Sequence, residues 1–108
     1  MIGPRGHDAP TTGGFALDAG GGRWLGTGAL TSVNAGGVLE AATALPLPSD
    51  GVVDCGGLGA VDSAAVAVLL ALKRRAGEAG RPLRFVNLPP ALAALASLYD
   101  VEGILASH

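Results

Sequence analysis

Few side chains in this sequence could do chemistry, and they do not gather. Histidine occurs only as His7 and His108, near the two ends, where order is poor and a side chain is rarely held in a site. One cysteine and two distant histidines do not make a four-ligand zinc set. Cys55 ends an apolar run, Gly51 to Cys55, and reads as a small buried hydrophobe rather than an activated thiol. Gly57-x-Gly59 is followed by Asp62 where a dinucleotide fingerprint wants its third glycine, and no Walker lysine motif is present. Gly56 to Gly59 read as a flexible turn, at most a nest of amides for an anion. Trp24 reads as a half-buried strand residue. No catalytic residue, cofactor site or metal site is therefore expected, and the chain is not expected to be an enzyme.

What remains is the pair Asp62–Ser63, a carboxylate and a hydroxyl at the mouth of an apolar run. Either side chain could accept a hydrogen bond from the free amides of a helix's first turn. A phosphate on Ser63 would add about −2 charge where the helix dipole favours it. The nine residues that follow, Ala64 to Leu72, contain no polar side chain. An amphipathic helix buries only a stripe. A helix apolar all round is therefore either sandwiched in the core or shows one face to a partner. Ala64, Ala65, Ala67 and Ala71 suit close approach of a partner, although alanine is abundant throughout this chain. Both readings stay open on these residues alone.

The elements that must position this pair can be read in order. Residues 1–13 are broken by Pro4, Gly6, Pro10 and Gly13 and read as a flexible tail ahead of one domain over 14–106. Phe15 to Ala19 and Arg23 to Leu30, joined by Gly20-Gly21-Gly22, predict a β-hairpin. Thr31 or Ser32 could cap a first helix that reaches Leu45 with Val38, Leu39 and Leu45 inward, although Gly36 and Gly37 each cost it about 1 kcal/mol. A short strand over 51–55 leads through the glycines into the apolar helix, with Lys73, Arg74 and Arg75 in its last turn. Pro82 to Val86 is the next strand. Asn87-Leu88-Pro89-Pro90 opens a helix carrying Leu92, Leu95, Leu98 and Tyr99, and Val101 to Leu105 closes the chain. Strands separated by helices pair in parallel. The expected fold is a single α/β domain with a mixed sheet, an N-terminal hairpin, mostly parallel later strands and helices packed on the sheet.

Composition narrows the partners. The 108 residues carry a net charge of −2 and only four aromatics. A basic face with stacking aromatics is missing, so nucleic acid is not expected. The longest apolar run falls far short of the roughly 20 residues needed to span a bilayer, so no direct membrane insertion is expected. The N-terminus has no apolar segment of signal-peptide type, and a lone cysteine suits a reducing compartment. A cytoplasmic location follows as an expectation.

The stretch Val52-Val53-Asp54-Cys55-Gly56-Gly57-Leu58, then Val61-Asp62-Ser63-Ala64 and the apolar helix, resembles the STAS domain. That family is named for sulfate transporters and anti-sigma factor antagonists. The resemblance runs from about Phe15 to Leu105. Ala65 stands where the antagonists usually carry glycine. The segment Val86 to Leu92, followed by Leu95, Leu98-Tyr99, Val101 and Ile104-Leu105, is similar to the small, MlaB-like STAS component of the Mla phospholipid-transport ABC system. The resemblance implies a non-enzymatic accessory subunit. It would bind the cytoplasmic ATPase subunit of an ABC transporter and support its assembly and activity in outer-membrane lipid asymmetry. It would sit at the inner face of the inner membrane through that partner. The partner-binding residues so implied are Asp62, Ser63, Ala64, Val66 and Ala67. The alternative implied is an anti-sigma factor antagonist, partnered by an anti-sigma factor kinase and regulated by phosphorylation of Ser63.

Overall fold

The computed structural model describes residues 13–107. The expected tail over 1–13 and both histidines therefore lie outside the described residues, apart from Gly13. Eight elements follow in order: β1 Gly14–Leu17, β2 Arg23–Leu30, α1 Ala35–Thr43, β3 Val52–Val61, α2 Ser63–Glu78, β4 Arg84–Val86, α3 Pro90–Leu98 and α4 Glu102–Ala106. The strands form one sheet in the order β1-β2-β3-β4. β1 and β2 are the antiparallel hairpin, and β2–β3 and β3–β4 are parallel. The fold is thus the mixed α/β domain that the pattern of strands and helices predicts.

The hairpin turn is held by Asp18. Its carboxylate accepts from the Gly22 amide at 3.1 Å, and Gly21 takes a φ of +70° that suits glycine. Alternate strand residues then point to opposite faces. Trp24, Val53, Cys55 and Phe85 are buried on one face, against the helices, while Leu25, Thr27 and Arg84 on the other are exposed. Trp24 is more buried than expected, at 1% exposed, and its indole N–H donates to the Pro46 carbonyl at 2.9 Å. A buried indole needs such an acceptor.

The largest departure from expectation is β3. Gly56 to Gly59 are not a turn: they lie inside a ten-residue strand that runs to Val61. At Gly57 the neighbouring strand lies too close for a side chain. Gly57 pairs with Thr27, and a Cβ on Gly57 would lie 2.7 Å from the Gly26 carbonyl oxygen. The register shifts between Leu25 and Thr27, and again between Gly28 and Leu30, so the two strands bend together. The Gly56 amide is taken by the Asp54 carboxylate at 2.9 Å and is not free for an anion.

Other boundaries differ by local causes. α1 starts at Ala35 behind Asn34, not at Thr31 or Ser32. The reason is that Thr31 and Asn34 spend their hydrogen bonds on a turn of their own, while the Ser32 amide donates to Asp62. α2 continues to Glu78, so only Arg75 of the basic trio falls in its last turn. Lys73 instead reaches the carbonyls of Leu83 and Ser107, tying α2 to β4 and to the end of α4. In α3, Leu92 and Ala96 face the core while Leu98 and Tyr99 are exposed.

One register pair sets up the site. Leu30 is the partner of Val61, so the parallel strands β2 and β3 end side by side. The segment leaving β2 and the entry to α2 therefore meet at the carboxyl ends of the strands, the usual place for a functional site in an open α/β sheet.

Candidate functional site

α2 begins where β3 stops. Asp62 has extended backbone, and its Oδ1 accepts from the Ala64 amide at 2.8 Å, which makes it the N-cap. Of the two residues that could cap, the carboxylate does so and the cap leaves the Ser63 hydroxyl out. Ser63 is exposed at the first position of the helix.

The second oxygen of Asp62 does something that no local pattern announces. Oδ2 accepts from the amide of Ser32, 30 residues earlier, at 3.0 Å. One carboxylate thus fixes both the helix start and the segment leaving β2. These amide contacts hold Asp62 below the usual carboxylate range, with the Ser32 amide the larger cause.

The segment Thr31 to Asn34 is itself braced. Asn34 Oδ1 accepts from the Thr31 amide at 2.9 Å, its Nδ2 donates to the Ala29 carbonyl at 2.9 Å, and the Val33 amide donates to Thr31 Oγ1 at 3.3 Å. The result is a tight turn with Val33 at its tip, 94% exposed.

Of the five residues expected to face a partner, four lie at or near the surface. Ser63 and Ala67 are exposed, and Asp62 and Ala64 are half-buried. Val66 is the correction: it is 4% exposed and belongs to the core. An all-apolar run leaves the rotation of the helix undetermined. The structure sets it by burying Ala65, Val66, Val68, Leu69, Leu72 and Ala76. Each fully buried Val or Leu contributes roughly 1.5–3 kcal/mol. The open question about this helix is answered in part: most of the run is core, and the outward stripe is Ser63, Ala67 and, half-covered, Leu70 and Ala71.

The other chemistry-bearing groups sit elsewhere. Cys55 is 0% exposed; burial pushes its thiol up to about 12, with the adjacent Asp54 charge adding to the rise. It is the small buried hydrophobe expected, not a nucleophile at neutral pH. Asp54 lies on the open sheet face, held down chiefly by the Gly56 amide and then by Asn87 and Arg23, against the opposing effect of burial. Arg23 approaches it at 3.5 Å. Among the described residues no three His, Cys, Asp or Glu side chains gather in a way that could hold a metal ion. No described helix is long and apolar enough to cross a membrane.

Ser32 and Val33 are the residues that the sequence does not point to. Their only local signal is a cluster of turn formers, Thr31, Ser32 and Asn34, with one valine inside it.

Comparison with known families adds one finding. A family model described as "Mlab, STAS domain" matches residues 27–106. That span takes in the Thr31–Asn34 turn, Asp62–Ser63 and the whole of α2. No curated protein matches the chain.

Proposed function

This chain belongs to the STAS-domain family of the Mlab description, and from that premise we propose that it is a non-enzymatic accessory subunit. It binds the cytoplasmic ATPase subunit of an Mla-type phospholipid-transport ABC system and supports its assembly and activity in maintaining lipid asymmetry. The observation that carries the proposal is Ser63. It stands exposed at the first position of a rigid helix, freed from capping by Asp62, within a span matched by the Mlab-type model. A preformed surface of this kind lowers the ordering cost of binding. The reading places the protein in the cytoplasm, at the inner face of the membrane through its partner.

The same serine supports a second reading, an anti-sigma factor antagonist. Ser63 is accessible to a kinase, and a phosphate at the first turn of α2 would be favoured by the helix dipole. Such a phosphate would change the partner surface without melting the helix.

Affinity-tagged full-length chain, expressed in its own host and crosslinked before lysis, separates the two. The proposal expects an ABC ATPase subunit in stoichiometric yield. Recovery of a kinase-type anti-sigma factor, with phosphate on Ser63, would replace it with the second reading.

A further inference from the structure

The last turns of α1 and α2 do not close against each other. Between them, beside the loop that follows α1, lies a cavity of about 190 Å³. Its walls include Ala42, Leu45, Leu47, Leu72 and Ala76, of which Ala42, Leu72 and Ala76 are buried core residues. Protein interiors are close-packed, and wall atoms that face a void forfeit their contacts. Two of these walls are alanine, whose short side chains leave the space unfilled. An aliphatic cavity of roughly 150 Å³ in a protein stays dry and takes up benzene. The size here therefore suits an apolar body slightly larger than a benzene ring.

The mouth has the opposite character. Arg75 is the one charged residue among the described residues that line the cavity. It is exposed and makes no salt bridge among the described residues. A cation in the last turn of a helix needs no ligand, because the dipole favours it. The apolar cavity beside it is the second observation. A further depression, of about 280 Å³, adjoins at Thr43 and Arg75 and is rimmed by Arg74, Arg75 and Glu78. Two guanidinium groups against one carboxylate leave a net charge of +1 there. An apolar chamber behind a single positive charge complements a monoanion with a hydrocarbon body, and a guanidinium can hold a carboxylate by two parallel hydrogen bonds.

We propose that this cavity binds a single-chain carboxylate, with a hydrocarbon body of about six to eight carbons in the apolar chamber and the carboxylate on Arg75. The site lies roughly 18 Å along α2 from Ser63. A bound carboxylate leaves the Ser63 surface uncovered, and the site stands independently of the ATPase reading. Because the ligand joins the end of α1 to the end of α2, it stabilises the native chain.

The test titrates full-length chain with sodium butanoate, hexanoate, octanoate and decanoate, each below its micelle-forming concentration, and follows the backbone amide resonances. Shifts should centre on Thr43, Leu45, Leu72 and Ala79. Affinity should rise by up to about fourfold per methylene as far as octanoate, then level off at decanoate because the chamber is full. Arg75→Gln should weaken octanoate by about three- to fivefold and leave the binding of 1-octanol unchanged. Ala79→Phe, which sets a ring at the mouth from an exposed position, should abolish octanoate binding with an unchanged melt. The chain-length series decides the matter without either variant. No shift at millimolar octanoate, or affinity that climbs by the same factor through decanoate, would overturn the site. So would shifts centred on the exposed Leu98, Tyr99 and Ile104, which would show adventitious contact with apolar surface. Tighter binding of octyl phosphate than of octanoate would overturn the assignment of a carboxylate.

Discussion

Replacing Gly57 with alanine should destabilise the domain, whereas the same change at Gly59, two residues along, should not. Gly57 pairs with Thr27 at a bend in the β2–β3 ladder. An added Cβ would lie 2.7 Å from the Gly26 carbonyl oxygen and 3.0 Å from Thr27 Cγ2. The first of these is backbone, so the two strands must part to admit the methyl group. Overpacking of this kind costs about 1–3 kcal/mol. The loss of glycine's freedom in the unfolded chain returns roughly 0.4–1 kcal/mol, which leaves a net cost of about 1–2 kcal/mol. For a domain of this size that lowers Tm by about 5–15 °C. At Gly59 the nearest atom to an added Cβ is the Gly28 oxygen at 3.9 Å, an ordinary contact, and neither glycine has positive φ. Gly59→Ala should therefore match wild type or exceed it by about 0.4–1 kcal/mol. Urea titrations followed by the fluorescence of Trp24, the only tryptophan, measure both. A flexible loop over 56–59 would make both changes harmless. Full stability of Gly57→Ala, or equal damage from both, would refute the placement of these glycines in the strand.

Other consequences follow from single groups. Cys55 should resist thiol reagents at pH 8 in the native protein and react at once in denaturant, since burial pushes its thiol up to about 12. Because that value is raised above the ordinary thiol range, this contribution to stability is intact below the unfolded thiol's pKa. It declines as pH climbs from there towards 12, and Cys55→Ala should abolish that part of the alkaline loss. Asp62 shifts the other way. Its stabilising contacts are present above the ordinary carboxylate range and are lost as pH falls through its lowered folded value, so acid should release the Ser32 and Ala64 amides together in proton-exchange spectra. Lys73→Met should speed amide exchange over Glu102–Ala106, because it removes the ammonium that reaches the Ser107 carbonyl; unchanged exchange there would show that α4 is held by packing alone.

Much of this architecture is legible in the residues. The alternation around Trp24, the apolar run after Asp62 and the proline entry before α3 each specify an element by a local rule, and the parallel order follows from helices lying between strands. Asp62 as the cap is readable for the same reason. Three features escape because their causes are not local. Glycine clusters signal turns, and the pairing of this stretch with β2, with its close approach at Gly57, is visible only in the structure. An apolar run without polar residues carries no phase, so nothing in the sequence says that Val66 points inward while Ala67 points out. The turn at Val33 looks like a helix cap from its composition, because the carboxylate that fixes it is contributed from the far end of another strand.

The central claim is that the Ser63 end of α2 binds an ABC ATPase subunit, and the most direct measurement is the ATPase subunit's own turnover with and without this chain. Stoichiometric wild-type chain should raise or stabilise the rate saturably, and Ser63→Arg, with an unchanged circular dichroism spectrum and melt, should have no effect. Equal action of the two proteins, or no effect of wild type at saturating concentration, would contradict the account.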